Sequence, residues 1–334
     1  MTLPFEQESP AAGTAATPAG PAENLRPASH GTADTASFYH LRDCSISGKS
    51  CMGTACFVAH HLNPARYAEA EKQEPRVYCL GQCFAGPAVA GSPAGPHVEA
   101  RSLHTVVLGR LVKGGARTLL AYQLQGGYRA LEKALRQSPD DIIKAVEASE
   151  LRGRGGAGFP VGRKWRSAFS QPAGEKFIVA NADEGDPGAY IDRFLIEDDP
   201  HAVIEGILIA ACAIGATRGW IYLRSEYPAA GPILESALAE ARHAGLLGKD
   251  ALGTGRSFDI EVFGGGGSYI CGEETALLRS IEGHRPEVMA RPPYATEHGL
   301  FHQPTVMNNV ETLVNIPWIV EHGGASYQIG RAHV

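Results

Sequence analysis

The 334-residue chain is 44% hydrophobic and 20% charged, enough for one sizeable core and a smaller appended unit. A formal net charge of -6 leaves no basic footprint for nucleic acid or for an anionic membrane surface. The longest apolar runs, such as Ala202 to Ala216, are interrupted by charge and too short for a bilayer, and the N-terminus lacks the features of a secretory signal, so a cytoplasmic protein without direct membrane insertion is expected.

Residues 1–36 are rich in Ala, Pro, Gly, Ser and Thr without apolar periodicity, which predicts a disordered extension. A small unit follows over residues 37–91 and ends in the Gly/Pro-rich AGPAVAGSPAGPH. Five of the seven cysteines, Cys44, Cys51, Cys56, Cys79 and Cys83, crowd into this first quarter. In a cytosolic chain such crowding points to a metal rather than to disulfides. Cys51-x4-Cys56 and Cys79-x3-Cys83 supply four thiolates in two pairs, which suit a [2Fe–2S] cluster. A zinc site or an empty site are the alternatives, although most zinc ribbons use C-x2-C. Cys44 falls outside the pairs and reads as a bystander thiol, and His60-His61 as solvent-exposed.

A third unit is expected over 92–325. Tyr128 to Gln137 and Asp140 to Glu150 carry apolar residues at helical spacing, and SPDD at 138–141 supplies an N-cap, a proline and first-turn acids. LRGRGGAGFPVGRKW (151–165) then spells G-x-G-x-x-G from Gly153 to Gly158. A dinucleotide fingerprint must follow a buried strand directly, whereas IIKAVEASEL before it is helical, and no acid stands about 20 residues on at the end of a second strand. What remains is a loop of small residues beside Arg152, Arg154, Arg163 and Lys164. It suits either a phosphate-bearing cofactor, through freed N–H groups and charge-assisted donors, or a flexible surface loop with solvated charges.

Beyond the loop, FIVAN (177–181), GWIYLR (219–224) and FDIEVF (258–263) are strand-like runs, with helical patterns at about 200–215, 230–244 and 273–282. Alternation of this kind predicts a layered α/β domain with a largely parallel sheet and a site at the strand ends.

Six motifs in consistent order, LRGRGGAGFPVGRKW, NADEGDPGAYIDR (181–193), RSEYP (224–228), GGGSYICGEETALLRSIEG (265–283), RPPY (291–294) and QPTVMNNVETL (303–313), resemble the 51 kDa-type FMN- and NADH-binding subunit of respiratory complex I. That family includes the diaphorase subunits of NAD-dependent hydrogenases and formate dehydrogenases. The resemblance implies a layered, Rossmann-like α/β FMN-binding domain with a parallel sheet, in which the glycine loop wraps FMN and NADH stacks on the flavin. It implies FMN contacts from Gly153, Arg154, Gly155, Gly156 and Lys164, from Asn181, Asp183 and Glu184, from Tyr269, Gly272, Glu273 and Glu274, and from Asn308 and Asn309. Glu184 and Glu274 would position NADH, with Phe159, Phe169, Arg291 and Tyr294 near the dinucleotide. Ordinary core or rim packing is the alternative for the three aromatics. The implied chemistry is hydride transfer from NADH to FMN and release of single electrons to iron–sulfur clusters, for which no side-chain base is needed. Cys271 lacks a histidine partner motif and reads as a packed residue.

The cysteine pairs resemble the thioredoxin-like [2Fe–2S] ferredoxin that accompanies this flavoprotein, with Cys51, Cys56, Cys79 and Cys83 as ligands. The 22 residues from Phe57 to Tyr78 are fewer than the complete ferredoxin domain requires. In full-length members a ubiquitin-like domain and a helical domain bearing a [4Fe–4S] cluster follow NNVET, and those ligands are missing from this chain. Residues 326–334 are therefore expected to be a truncated end, and IGRAHV back-translates to sequencing-adapter codons. The function implied is an NADH-oxidising diaphorase module with iron–sulfur partner subunits in a hydrogenase, formate dehydrogenase or complex I-type assembly. EGDPGAYIDR lies closer to the hydrogenase and formate dehydrogenase branch. The alternative is a non-catalytic metal-binding or assembly module with an incomplete flavin site.

Overall fold

The computed structural model describes residues 50–51, 53–62, 65, 76–77, 80, 86, 88–89, 105–172, 174–186 and 189–331. The expected extension at 1–36 and Cys44 lie outside them. Near the start, β1 (Ser50–Cys51) pairs in parallel with β2 (Arg76–Val77), α1 (Thr54–Leu62) follows β1, and Ser50 bridges Val89.

The larger unit opens with three helices, α2 (Leu119–Leu124), α3 (Arg129–Ala134) and α4 (Pro139–Ala148). The last starts where SPDD predicts: Ser138 Oγ accepts from Asp141 N, Pro139 needs no donor in the first turn, and Asp140 and Asp141 face the positive helix end. Its apolar stripe, Ile142, Ile143 and Val146, is buried. Then come α5 (Val161–Phe169), β3 (Phe177–Ala182), α6 (Ile191–Asp198), α7 (Pro200–Ile214), β4 (Arg218–Leu223) and α8 (Ala230–His243). The chain continues through β5 (Gly248–Ala251), β6 (Arg256–Gly264), α9 (Glu274–Ile281), β7 (Thr305–Asn309), α10 (Val310–His322) and α11 (Gly324–Arg331).

Five strands form one sheet in the order β5-β6-β4-β3-β7, with β6, β4, β3 and β7 mutually parallel and β5 antiparallel at the edge. The expected parallel α/β architecture is therefore present. Successive β3 residues serve opposite faces: Ile178, Ala180 and Ala182 join the larger core with α7 and α10, while Phe177 and Val179 join a smaller one with Trp220, Tyr222 and Leu277. Burial on both faces explains why β3 and β4 read as continuous apolar runs.

Helix α7 is buried along almost its whole length and crosses α10 closely. At that crossing a Cβ on Gly206 would lie 2.4 Å from the Leu313 carbonyl oxygen, so only glycine fits. Pro317, inside α10, has no N–H to bond that same carbonyl. The segment set apart at 326–334 is partly integrated: Tyr327 is buried and donates to Asn315 Oδ1 (2.9 Å), and Gln328 Nε2 donates to Ala148 O (2.7 Å).

Candidate functional site

A cavity of about 420 Å³ opens at the C-terminal ends of β3 and β7, where a parallel sheet gathers its sites. Its wall takes Arg154, Gly155 and Gly156 from the glycine loop, Asn181, Asp183 and Glu184 from the end of β3, and Asn309 from the end of β7. Tyr269, Gly272 and Glu273 close it from the turn before α9.

The glycine loop follows helix α4, and its one strand-like contact is the Arg152–Pro160 bridge, which rules out the strand-to-helix turn of a dinucleotide fingerprint. Hydrogen bonds from Gly153 N to Phe159 O and from Val161 N to Leu151 O, both 2.9 Å, close its base. Its tip is pinned to α10, because Arg154 N donates to Thr312 Oγ1 (2.9 Å) and a Cβ on Gly155 would stand 3.2 Å from Asn309 Cβ. Gly156 takes φ +103° with open space where a Cβ would be, a conformation that turns backbone rather than side chain toward a ligand.

The acidic wall is built differently. Asn181 donates from Nδ2 to Gly272 O (3.0 Å), and its Oδ1 accepts from Asp183 N (2.9 Å). Among the described residues, nothing donates to the Asp183 carboxylate; burial pushes its pKa up to about 6, with Arg224 pulling the other way. Glu184, expected to present its carboxylate to the dinucleotide, already accepts from Ile191 N and Asp192 N (both 3.1 Å) at the start of α6 and from Tyr227 Oη (3.0 Å). Burial raises its pKa, and these three bonds oppose the rise.

Asp192, also on the cavity wall and 1% exposed, is absent from the sequence expectations. Its Oδ2 accepts from Asn309 Nδ2 (2.6 Å) and its Oδ1 from Glu311 N (3.1 Å) at the start of α10. Burial, then the nearby Glu184 charge, hold its carboxyl well above the usual range. An acid in the first turn of the helix, beside the apolar Phe194, Leu195 and Ile196 and within the motif NADEGDPGAYIDR, was the available signal.

Other expected residues are not on this wall. Lys164 Nζ pairs with Glu274 Oε1 (2.6 Å) and donates to Met307 O (3.0 Å), and Arg291 pairs with Glu273 and, at 3.6 Å, with Glu274. Glu273 in turn caps α9 through Thr275 N (2.8 Å) and Ala276 N (3.0 Å). Asn308 is buried toward α5, where its Oδ1 accepts from Trp165 Nε1 (2.9 Å). Tyr269 is 68% exposed, its Oη donating to Asp186 (2.6 Å) and its ring lying where a Cβ on Gly185 would clash. Phe159, Phe169 and Tyr294 are exposed, with the Arg163 guanidinium over Phe159; Phe169 sits beside Lys176 at the N-terminal end of β3, at the opposite end of the strand from the cavity and so away from its expected place near the dinucleotide, and Gly153 belongs to the base of the loop.

These groups fit a flavin mononucleotide. Backbone donors of a glycine loop that carries Arg154, whose guanidinium rests on Tyr327 Oη (3.4 Å), suit a phosphate at one end, and amide and carboxyl groups at the other suit hydroxyls and ring edges. An acid held near half protonation at pH 6 also limits the charge repulsion that five carboxylates on one wall would otherwise set up.

Of the four cysteines expected to bind metal, Cys51 and Cys56 are buried, with Gly53 N 3.4 Å from Cys51 Sγ and Ala88 N 3.5 Å from Cys56 Sγ. Cys79 and Cys83 lie outside the described residues, and among the described ones no three metal-ligating side chains converge. Cys271 is buried, as a packed residue should be. No helix among the described residues is long and apolar enough to cross a membrane.

The model of the Nuo51 FMN-binding domain family matches residues 146–318. An NADH-quinone oxidoreductase subunit of Aquifex aeolicus (strain VF5) is 49% identical over 236 residues, 71% of this chain and 55% of that protein. The NADP-reducing hydrogenase subunit HndC of Solidesulfovibrio fructosivorans is 50% identical over 197 residues, 59% of this chain and 40% of that one. The crystal structure of an NAD+-reducing [NiFe]-hydrogenase in the H2-reduced state superposes with a TM-score of 0.66 at 31% identity, covering 88% of this chain and 56% of the other. The chain thus spans about half the length of the relatives it matches.

Proposed function

Given that the chain belongs to the Nuo51 FMN-binding domain family, we propose that it is the NADH-oxidising flavoprotein module, a diaphorase, of a multisubunit oxidoreductase. The observation that carries this reading is the cavity where the glycine loop and the ends of β3 and β7 meet. When bound, FMN supplies acceptance of two electrons from NADH and their release one at a time.

The chain's own groups bind and orient. Arg154 and the N–H groups of Gly155 and Gly156 hold the phosphate, and Asn181 and Asp183 meet the polar edge of the flavin. The Tyr269 ring at the mouth offers a face to a planar group, while Arg291, Phe159 and Tyr294 receive the dinucleotide from solvent. The Lys164–Glu274–Arg291 ion pairs hold this rim in place. Cys51, Cys56, Cys79 and Cys83 hold a [2Fe–2S] cluster, a reading supported by two buried thiols that already face backbone N–H groups. Iron–sulfur partner subunits in the cytoplasm complete the electron path.

The test is an absorption spectrum of anaerobically purified protein, reconstituted with FMN, iron and sulfide, before and after NADH. Flavin bands that bleach with NADH support the diaphorase reading. A folded protein that retains no FMN overturns it and leaves an assembly module in its place. Iron and acid-labile sulfide that do not fall in Cys51→Ser or Cys56→Ser would overturn the cluster assignment.

A further inference from the structure

Asp192 joins parts of the cavity that come from three separate stretches of sequence. Its backbone N–H is held by Glu184, whose other bonds come from Ile191 N and Tyr227 Oη, so it is tied to the acid wall after β3. Its carboxylate is tied to the opposite wall: Oδ2 accepts from Asn309 Nδ2 at 2.6 Å and Oδ1 from Glu311 N at 3.1 Å. Asn309, so oriented, turns its Oδ1 to Thr312 N (3.1 Å) and Thr312 Oγ1 (3.3 Å), capping α10. Thr312 Oγ1 in turn accepts from Arg154 N, and Asn309 Cβ is the surface on which Gly155 rests.

An asparagine amide can face two ways, and the flipped form would set its carbonyl against the Asp192 carboxylate and its NH2 against the Thr312 N–H. Both Asp192 oxygens accept in the structure, Oδ2 from Asn309 Nδ2 and Oδ1 from Glu311 N, and this pairing selects the observed amide orientation. Because the residue is 1% exposed, water cannot take over that task.

We propose that Asp192 is a positioning residue of the flavin pocket, fixing the Asn309 amide and, through Thr312, the height at which the glycine loop meets the phosphate end of FMN. The inference rests on the flavin reading above. It adds a residue that touches Asn309 and the helix start and acts on the ligand through them.

The experiment uses the full chain freed of FMN and titrates FMN into it by quenching of flavin fluorescence. The proteins compared are wild type, Asp192→Asn, the exchange variant Asp192→Asn/Asn309→Asp, and Thr312→Val. In Asp192→Asn a donor can face the Asn309 NH2, and FMN binding is expected to weaken about tenfold or more. The exchange variant restores one donor opposite one acceptor and still offers an oxygen to Thr312 N; because position 309 also faces the cavity, affinity is expected to recover in part, clearly above that of Asp192→Asn. A protein that has merely lost stability would not regain affinity by this exchange.

If wild type binds FMN and Asp192→Asn binds within about twofold of it, the inference fails and the flavin reading stands. It fails equally if affinity drops and the exchange recovers none of it while circular dichroism stays native. Should Asp192→Asn not fold, Thr312→Val tests the next link, and unchanged FMN affinity there overturns the proposal. A wild-type chain that binds no FMN removes the flavin reading itself.

Discussion

Among the described residues, acids are buried at the start of α7 and around the cavity, and the two groups differ in what their carboxylates face. On α7, Glu205 is 1% exposed; its Oε2 accepts from Tyr122 Oη (2.5 Å) and Tyr128 N (3.0 Å), and its Oε1 from Leu131 N (3.0 Å). One turn earlier His201 Nδ1 meets Tyr128 Oη (2.9 Å), and Asp199 pairs with Arg110 (2.6 Å), whose guanidinium lies over the Tyr122 ring. All these partners come from residues 110–131, so the group fastens that segment onto α7. At the cavity, Asp183 keeps its carboxylate without a donor among the described residues, beside Glu184 and Asp192 whose donors belong to helix starts. Burial raises the pKa of Glu205 and Asp199 just as it raises that of Asp183, reaching about 6 for both aspartates. A shifted acid alone therefore does not mark a site; acceptor capacity left facing a cavity does.

The sharpest way to break this contrast is Glu205→Gln. Its amide hydrogens would meet a backbone N–H, and the folded state is expected to lose about 3 kcal/mol in denaturant unfolding while FMN affinity of the folded protein is unchanged. Stability equal to wild type would show that the α7 group does not fasten the segment. Next in size is Gly155→Ala, where the new methyl presses on Asn309 and FMN affinity should fall on the order of tenfold, with little change in melting temperature. An equal affinity would mean that the loop's distance from α10 is not set by that contact.

A smaller effect separates the two aspartates by pH. Binding removes more water from Asp183, which costs less for the neutral acid than for the ion, so affinity is present below about pH 6 and declines several-fold as pH rises through that value. Riboflavin, which carries no phosphate, should show the same decline, and Asp183→Asn should abolish it; Asp199→Asn should leave it in place. A decline seen only with FMN would assign it to the phosphate. The smallest change is expected for Tyr269→Phe: the exposed ring stays and only the bond to Asp186 is lost, so calorimetry should find the melting temperature unchanged.

The core of the fold is legible in the sequence because β3, β4 and β6 are short apolar runs between helical stretches with capping signals. Helix α5 is harder to read although Val161, Trp165 and Ala168 repeat at i, i+4 and i+7, because the glycine loop runs straight into that stripe and its motif reads first. β5 is a polar edge strand, GKDA, and carries no apolar period. β7 ends in two asparagines and α10 contains Pro317, so a strand and helix read only as a motif. At the site, the sequence treats Asn308 and Asn309 alike, yet strand alternation sends the first to Trp165 and the second to the cavity. Asp192 is hidden for a related reason: its partners, Asn309 and Glu311, lie more than a hundred residues away in the chain.

The close crossing of α7 and α10 at Gly206 bears on the flavin pocket. α10 carries Thr312, and its buried crossing leaves its first turns no route to fray that does not also part the two helices. Amide hydrogens there should exchange with solvent as slowly as those of β3, with or without flavin. The glycine loop would then find its seat already standing, and little of the affinity would be lost to ordering that wall when ligand arrives.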